Sequence, residues 1–312
     1  IIHNLYKLKF PPYRMVNITF LGTSDQIPSA KRNHSGILLN HNGENILIDC
    51  GEGTQRQFRK AKLNPCKITR ILITHWHGDH VFGLPGILST LSLSGYNKTL
   101  FIYGPKGTKI FMKKLLDLFN FERNYKIKIE EVSGKFFETN DFSLEAKIMS
   151  HGIPCNAYSF IIKDKIRIDK KKLKKVKLPE GPLLQKLKEG KDINYDGKKF
   201  KSKNLTFLEK GKKISFVLDT GLNPRIVPFV KNSDLFVCDS SFESDLSEHA
   251  KKHLHLTSKQ AGEIAKKSKS KKLVLTHISQ RYEMNTKKVL DGARKVFKNT
   301  ILVNDFDVVE VK

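Results

Sequence analysis

One stretch constrains this chain more than any other: Ile71-Leu72-Ile73-Thr74-His75-Trp76-His77-Gly78-Asp79-His80. Ile71 to Thr74 is apolar and β-branched, which predicts a short buried strand. That strand runs straight into three His and one Asp in the order HxHxDH. An α/β fold presents its chemistry on loops that leave the carboxyl ends of strands. Imidazole and carboxylate together suit zinc, and less often manganese or iron. A loop that is merely polar has no reason to pack four such groups into six residues.

Other candidate ligands also follow strands. Residues 16–21 alternate and end at Gly22-Thr23-Ser24. Strands at 35–39 and 45–49 are joined through Asn42-Gly43, a hairpin signal, and a helix follows to about Lys60. After the His-rich loop, the pattern predicts helices at 82–93 and 108–119 and strands at 100–103, 125–132 and 157–162. Two short strands in 136–151 deliver His151 to a loop. The strand at 213–218 ends at Asp219, that at 234–238 at Asp239, and that at 272–276 at His277. His255-Leu256-Thr257 precedes a helix at 258–267. A further helix at 286–297 and strand character over 300–311 close the chain. Strand ends gathered on one rim of a sheet sandwich bring His75, His77, Asp79, His80, His151, Asp219 and His277 together. That is a full set for two metals, the arrangement that hydrolyses by in-line displacement.

Charge adds a partner. Fifty-seven Lys and Arg against thirty-one Asp and Glu give +26, a field that attracts polyanions, nucleic acid first. It is concentrated: residues 163–203 hold sixteen Lys or Arg and six Asp or Glu. Lys171, Lys172, Lys174 and Lys175 cluster there, followed by Gly181-Pro182. The segment reads as an extended arm, too charged to bury itself. No apolar run approaches the ~20 residues of a membrane span. Cys50, Cys66, Cys155 and Cys238 are widely spaced, which fits reduced thiols in a cytoplasmic protein. Met15 stands just before the first strand, so residues 1–14 are read as an N-terminal extension or tag and 15–312 as one catalytic domain.

These residues resemble the metallo-β-lactamase superfamily and, within it, the ribonuclease Z family. The resemblance runs from about Val16 to Val311. It rests on Phe20-Leu21-Gly22-Thr23-Ser24, Asp49-Cys50-Gly51-Glu52-Gly53-Thr54, the HxHxDH loop with Phe82-Gly83-Leu84-Pro85-Gly86, the Gly181-Pro182 arm, and Leu275-Thr276-His277-Ile278-Ser279. It implies an α/β fold, a four-layer αβ/βα sandwich with a protruding basic arm. It implies two zinc ions per subunit: His75, His77 and His151 on one, Asp79, His80 and His277 on the other, Asp219 bridging. The implied activity is endonucleolytic removal of the 3′ trailer from precursor tRNA, by a homodimer whose arm grips the tRNA. Asp79 would serve as general base and His255 as proton donor.

Two departures stand out. The family orients the donor His with a Glu; here Asp239 carries the carboxylate on a stem one methylene shorter. In the loop after Pro28, Arg32 and Asn33 fit the family's RNA-contacting pattern, but Ala30 replaces its Lys and Lys31 sits one place late. Competing readings are a small-molecule phosphodiesterase or lactonase on the same scaffold, a nuclease directed at DNA or mRNA, and an RNA-binding module without activity.

Overall fold

The computed structural model describes residues 15–119, 124–179 and 181–312. The extension at 1–14 lies outside the described residues, as does Glu180 of the arm. Strand β1 (Val16–Gly22) alternates buried and half-buried positions as far as Phe20, the period of a sheet with one covered face. It pairs antiparallel with β2 (Gly36–His41), which turns into β3 (Glu44–Ile48). The turn residues Asn42 and Gly43 have φ of 48° and 86°, as the hairpin signal requires. Strands β4 (Arg70–Leu72), β5 (Leu100–Gly104) and β6 (Ile127–Glu131) continue in parallel from β3. Helices α1 (Thr54–Lys60), α2 (Gly78–Val81), α3 (Leu84–Leu93) and α4 (Thr108–Leu118) occupy the connections.

Strands β7 (Gly134–Glu138), β8 (Phe142–Ile148) and β9 (Asn156–Ile162) belong to a second sheet. The basic segment follows as β10 (Lys165–Ile168), α5 (Lys170–Lys175), α6 (Leu183–Lys188), β11 (Ile193–Tyr195), β12 (Lys198–Phe200), α7 (Ser202–Leu205) and β13 (Thr206–Glu209). The second sheet resumes with β14 (Lys212–Val217), α8 (Ile226–Phe229), β15 (Leu235–Asp239), α9 (Ser247–Lys252), α10 (Ser258–Lys267), β16 (Leu273–Thr276), α11 (Thr286–Arg294) and β17 (Thr300–Leu302). The strand character expected over 300–311 is divided between two strands. After β17 the chain crosses to the first sheet, where β18 (Val308–Val311) pairs antiparallel with β1.

The sheets run β18-β1-β2-β3-β4-β5-β6 and β17-β16-β15-β14-β9-β8-β7. Helices α1, α3 and α4 bury Phe58, Leu88 and Met112 against Leu47, Ile71 and Ile102 of the first sheet. Helices α8, α10 and α11 bury Ile226, Ile264 and Val289 against Val217, Phe236 and Leu275 of the second. The result is a four-layer αβ/βα sandwich. Parallel strands covered on both faces read as near-continuous apolar runs, as Leu273 to Leu275 does.

The chain divides into two compact units. One holds the described residues up to Phe137, Leu144–Phe160 and Lys213–Lys312; the other holds Glu138–Ser143 and Ile161–Lys212. The second unit corrects the expectation that the basic segment cannot bury itself. Leu173, Leu178, Leu187, Ile193 and Leu205 form a small core of its own, with Ile168 and Phe200 against it. Helix α5 gives Leu173 to that core and α6 gives Leu187 with Leu183 and Leu184 against it, and both leave their lysines in water. Asp169 caps α5 by accepting the N–H groups of Lys171 and Lys172.

Candidate metal centre

The candidate ligands follow strand ends, and four of the imidazoles are then aimed by a second contact. Asp49 follows β3 at φ 57°, a left-handed conformation held by its hydrogen bonds. Its Oδ1 accepts the Thr74 N–H and its Oδ2 the Thr74 hydroxyl, both at 2.7 Å. The same Oδ2 lies 2.7 Å from His80 Nδ1, so one buried carboxylate fixes the loop after β4 and turns His80 inward. Thr74 Oγ1 contacts His75 Nδ1 at 3.0 Å, the Leu254 carbonyl accepts from His151 Nδ1 at 3.0 Å, and Ser241 Oγ meets His277 Nδ1 at 2.9 Å. In four imidazoles, then, Nδ1 is engaged outward and Nε2 is left to the centre, the arrangement that orients ligating His.

The freed atoms converge. His77 Nδ1 lies 3.0 Å from His75 Nε2 and 3.2 Å from His151 Nε2. His277 Nε2 lies 3.4 Å from Asp79 Oδ2, and His80 Nε2 3.2 Å from it. Asp219 stands between the groups, its Oδ2 3.5 Å from His151 Nε2 and 3.4 Å from His80 Nε2, its Oδ1 3.1 Å from His277 Nε2. One ligand set is thus His75, His77 and His151, and the other Asp79, His80, Asp219 and His277. Inside the second set, His80 Nε2 and Asp219 Oδ1 are fully buried and make no hydrogen bond despite these near approaches. Donor atoms aimed at a shared point rather than at each other fit a cation at that point. Left without one, such buried atoms cost about 1–3 kcal/mol each.

The electrostatics agree. Burial disfavours the charged form of Asp219, yet His277, His80 and His255 hold its carboxyl well below the usual range. Burial likewise opposes ionisation of Asp79, and His80 with a hydrogen bond from His277 overcomes it. His80 and His277 are pushed well above the ordinary imidazole value: burial works against them, and Asp219 foremost outweighs it. His75, where burial and the neighbouring His80 dominate, is pushed well below it. Carboxylates that hold protons on buried imidazoles would equally hold divalent cations there.

Asp239 reaches His255 despite its shorter stem. Its Oδ2 lies 2.9 Å from His255 Nδ1, while its Oδ1 accepts from the Ser241 N–H and hydroxyl. Burial works against a charged His255, but Asp239 and then Asp219 raise its pKa. The last candidate set, Asp219, Asp239, His255 and His277, is contiguous with the metal clusters.

The loop after Pro28 requires a correction. Arg32 is buried; its guanidinium donates to Thr23 Oγ1, the Val303 carbonyl and Asn304 Oδ1 at 2.6–2.8 Å. A cation spent on three internal acceptors braces the loop and does not present itself to RNA. Asn33 is half-buried, and its amide donates to the Glu52 carbonyl. Lys31 is exposed. In the second unit, Lys171, Lys172, Lys174, Lys175, Gly181 and Pro182 are all exposed. Asp49, Thr74 and Ser241 had no signature in the sequence as site residues. The one local hint is that Asp49 closes a strand, as the ligands do.

A ribonuclease Z from Oceanobacillus iheyensis is 41% identical over 308 residues, covering 95% of this chain and 100% of the relative. The chain belongs to the ribonuclease Z family. A second ribonuclease Z, from Nanoarchaeum equitans, is 38% identical over 95% of this chain and 93% of its own. The crystal structure of human tRNase Z, short form, superposes with a TM-score of 0.70 at 28% identity, covering 94% of this chain and 98% of that one. A family model described as Anti-Pycsar protein Apyc1 matches residues 16–178. That match ends before Asp219, His255 and His277, whereas the ribonuclease Z relatives span the whole site. As a member of the ribonuclease Z family the chain is a hydrolytic endoribonuclease. No helix among the described residues is long and apolar enough to cross a membrane.

Proposed function

We propose that this enzyme removes the 3′ trailer from tRNA precursors, cutting the phosphodiester 3′ of the discriminator nucleotide. The observation that carries the reading is the convergence of seven metal-type side chains beside an Asp239–His255 pair. His75, His77 and His151 would hold one zinc ion, and Asp79, His80 and His277 a second, with Asp219 shared. Zinc bound there supplies Lewis-acid polarisation of the phosphate and activation of water near neutral pH.

The chain's own groups handle the protons. The Asp79 carboxylate, kept ionised, accepts the proton of the attacking water. Water adds to phosphorus, and the bond from phosphorus to the discriminator O3′ breaks. His255, held by Asp239 through Nδ1, gives a proton to that oxygen from its other nitrogen. The tRNA keeps a 3′ hydroxyl and the trailer a 5′ phosphate. The lysines of α5 contact tRNA phosphates without reading sequence. Resemblance to the family supports a homodimer in which the arm of one subunit holds the tRNA that the other cuts. Four free cysteines, three of them buried, support a reducing cytoplasm as its compartment.

The test is one end-labelled precursor with a 3′ trailer, incubated with the wild type, with chelated enzyme given zinc back, and with Asp79→Ala. A single cut at the discriminator, lost on chelation and in the variant and restored by zinc in the wild type, is the expected result. Turnover of a small phosphodiester with no cut in tRNA would overturn the substrate and favour a small-molecule phosphodiesterase.

A further inference from the structure

Next to His255, a cavity of roughly 360 Å³ opens with an unusual wall. Its back is Phe242, which is buried; the ring stands edge-on to His249 at 5.0 Å and to His255 at 5.9 Å. The Arg281 guanidinium lies 5.2 Å from the Phe242 ring centre. At the rim, His249 and His253 are exposed, and their rings are only 4.4 Å apart and tilted by 45°. His249 lies in α9 and His253 caps its end, four residues on, so both project from one face. None of the groups in this wall belongs to the two ligand sets, and neither His249 nor His253 is used by the chemistry.

The wall combines flat π-faces with a guanidinium, the chemistry that receives an unpaired nucleotide: base on ring, phosphate or ribose near the cation. Its volume is at the small end of ligand cavities, ~300–1,000 Å³, which suits one nucleotide. Its inner end is His255, the group that faces the leaving oxygen. The nucleotide bearing that oxygen is the discriminator, so its base is the one within reach of this wall.

We propose that the Phe242–His249–His253 wall is the subsite for the discriminator nucleotide, whose base stacks on the paired imidazoles. The inference rests on the tRNA-processing reading above. It makes His249 and His253 substrate-positioning residues, acting on how well the nucleotide is held and not on the proton transfers.

The experiment pairs enzyme and substrate changes. Wild type and His249→Ala/His253→Ala are each given an intact precursor and one with an abasic discriminator. Zinc content and unfolding midpoint establish that the variant is folded. Removing the base should raise the wild-type KM about tenfold, the scale of losing one stacked base. The double variant should show the same rise on the intact precursor and little further rise on the abasic one. His249→Phe, which restores a flat ring, should recover part of the loss. Equal KM for intact and abasic precursors with the wild type overturns the subsite, as does independent addition of the two losses. Failure of the wild type to cut the intact precursor overturns the tRNA reading itself, a distinguishable outcome.

Discussion

Trp76 donates its indole N–H to Thr108 Oγ1 at 3.0 Å, tying the loop that carries His75 and His77 to the first turn of α4. The indole also packs on Phe111, ring centres 5.1 Å apart. Thr108 is fully buried and lies against Gly104, where an added Cβ would come within 2.2 Å of the Thr108 hydroxyl oxygen. The end of β5, the start of α4 and the metal loop therefore share one contact. Neighbours in an extended loop point to opposite sides, so anchoring Trp76 outward sets His75 and His77 inward.

Trp76→Ala should weaken zinc binding about 10–100-fold, the usual cost of losing an outer contact of a ligand. Trp76→Phe keeps the ring and loses the hydrogen bond, about 1 kcal/mol, so about fivefold is expected. Competition with a chromophoric chelator measures both. Trp76 is the chain's one tryptophan, so its fluorescence in the wild type should also change as zinc is added. Variants that retain wild-type zinc affinity would show the brace to be incidental.

Asp49→Asn should be nearly isosteric yet costly. The amide keeps an acceptor for Thr74 but removes the charge beside His80 Nδ1. Zinc affinity should fall by about one to two orders of magnitude, read by equilibrium dialysis. An unchanged affinity would mean that Thr74 alone places the loop.

Arg32 and Lys31 are adjacent, and opposite behaviour is expected of them. Arg32→Ala strands the acceptors Asn304 and Val303 and should destabilise by about 2–4 kcal/mol, seen in urea unfolding. Lys31→Ala should leave stability within about 0.5 kcal/mol and raise KM for precursor tRNA, with a salt slope shallower by about one contact. Loss of tRNA affinity in Arg32→Ala without loss of stability would return Arg32 to the RNA surface.

These cases show what a sequence of this kind discloses. The ligands were legible because each follows an apolar strand, and a strand end is a local pattern. Asp49, Ser241 and the Leu254 carbonyl were not, because they meet their imidazoles from elements 31, 36 and 103 residues away. Arg32 was readable as a cation, but the direction of its side chain depends on Val303 and Asn304 at the far end of the chain. In the arm, Leu173 and Leu187 are each flanked by lysines and Leu205 lies in a separate short segment, so no periodicity announced a core. Their burial depends on short helices and strands closing on one another.

That small core makes the arm's charge testable without unfolding it. Lys171, Lys172, Lys174 and Lys175 are exposed on α5, and Leu173 between them is the residue that enters the core. Replacing the four lysines by Ala while keeping Leu173 and the Asp169 cap should preserve the fold. Ala also has the better helix propensity. If each lysine neutralises a phosphate, the slope of log affinity against log salt should flatten by about 0.7–0.9 per residue, close to three for the set. The affinity loss should be largest at low salt and shrink as salt rises, because counterion release is what the variant forfeits. Filter binding of a precursor tRNA from low to moderate salt reads both quantities. A parallel shift with unchanged slope would mean that these lysines act through the arm's shape, and the phosphate contacts would have to be sought elsewhere in the chain.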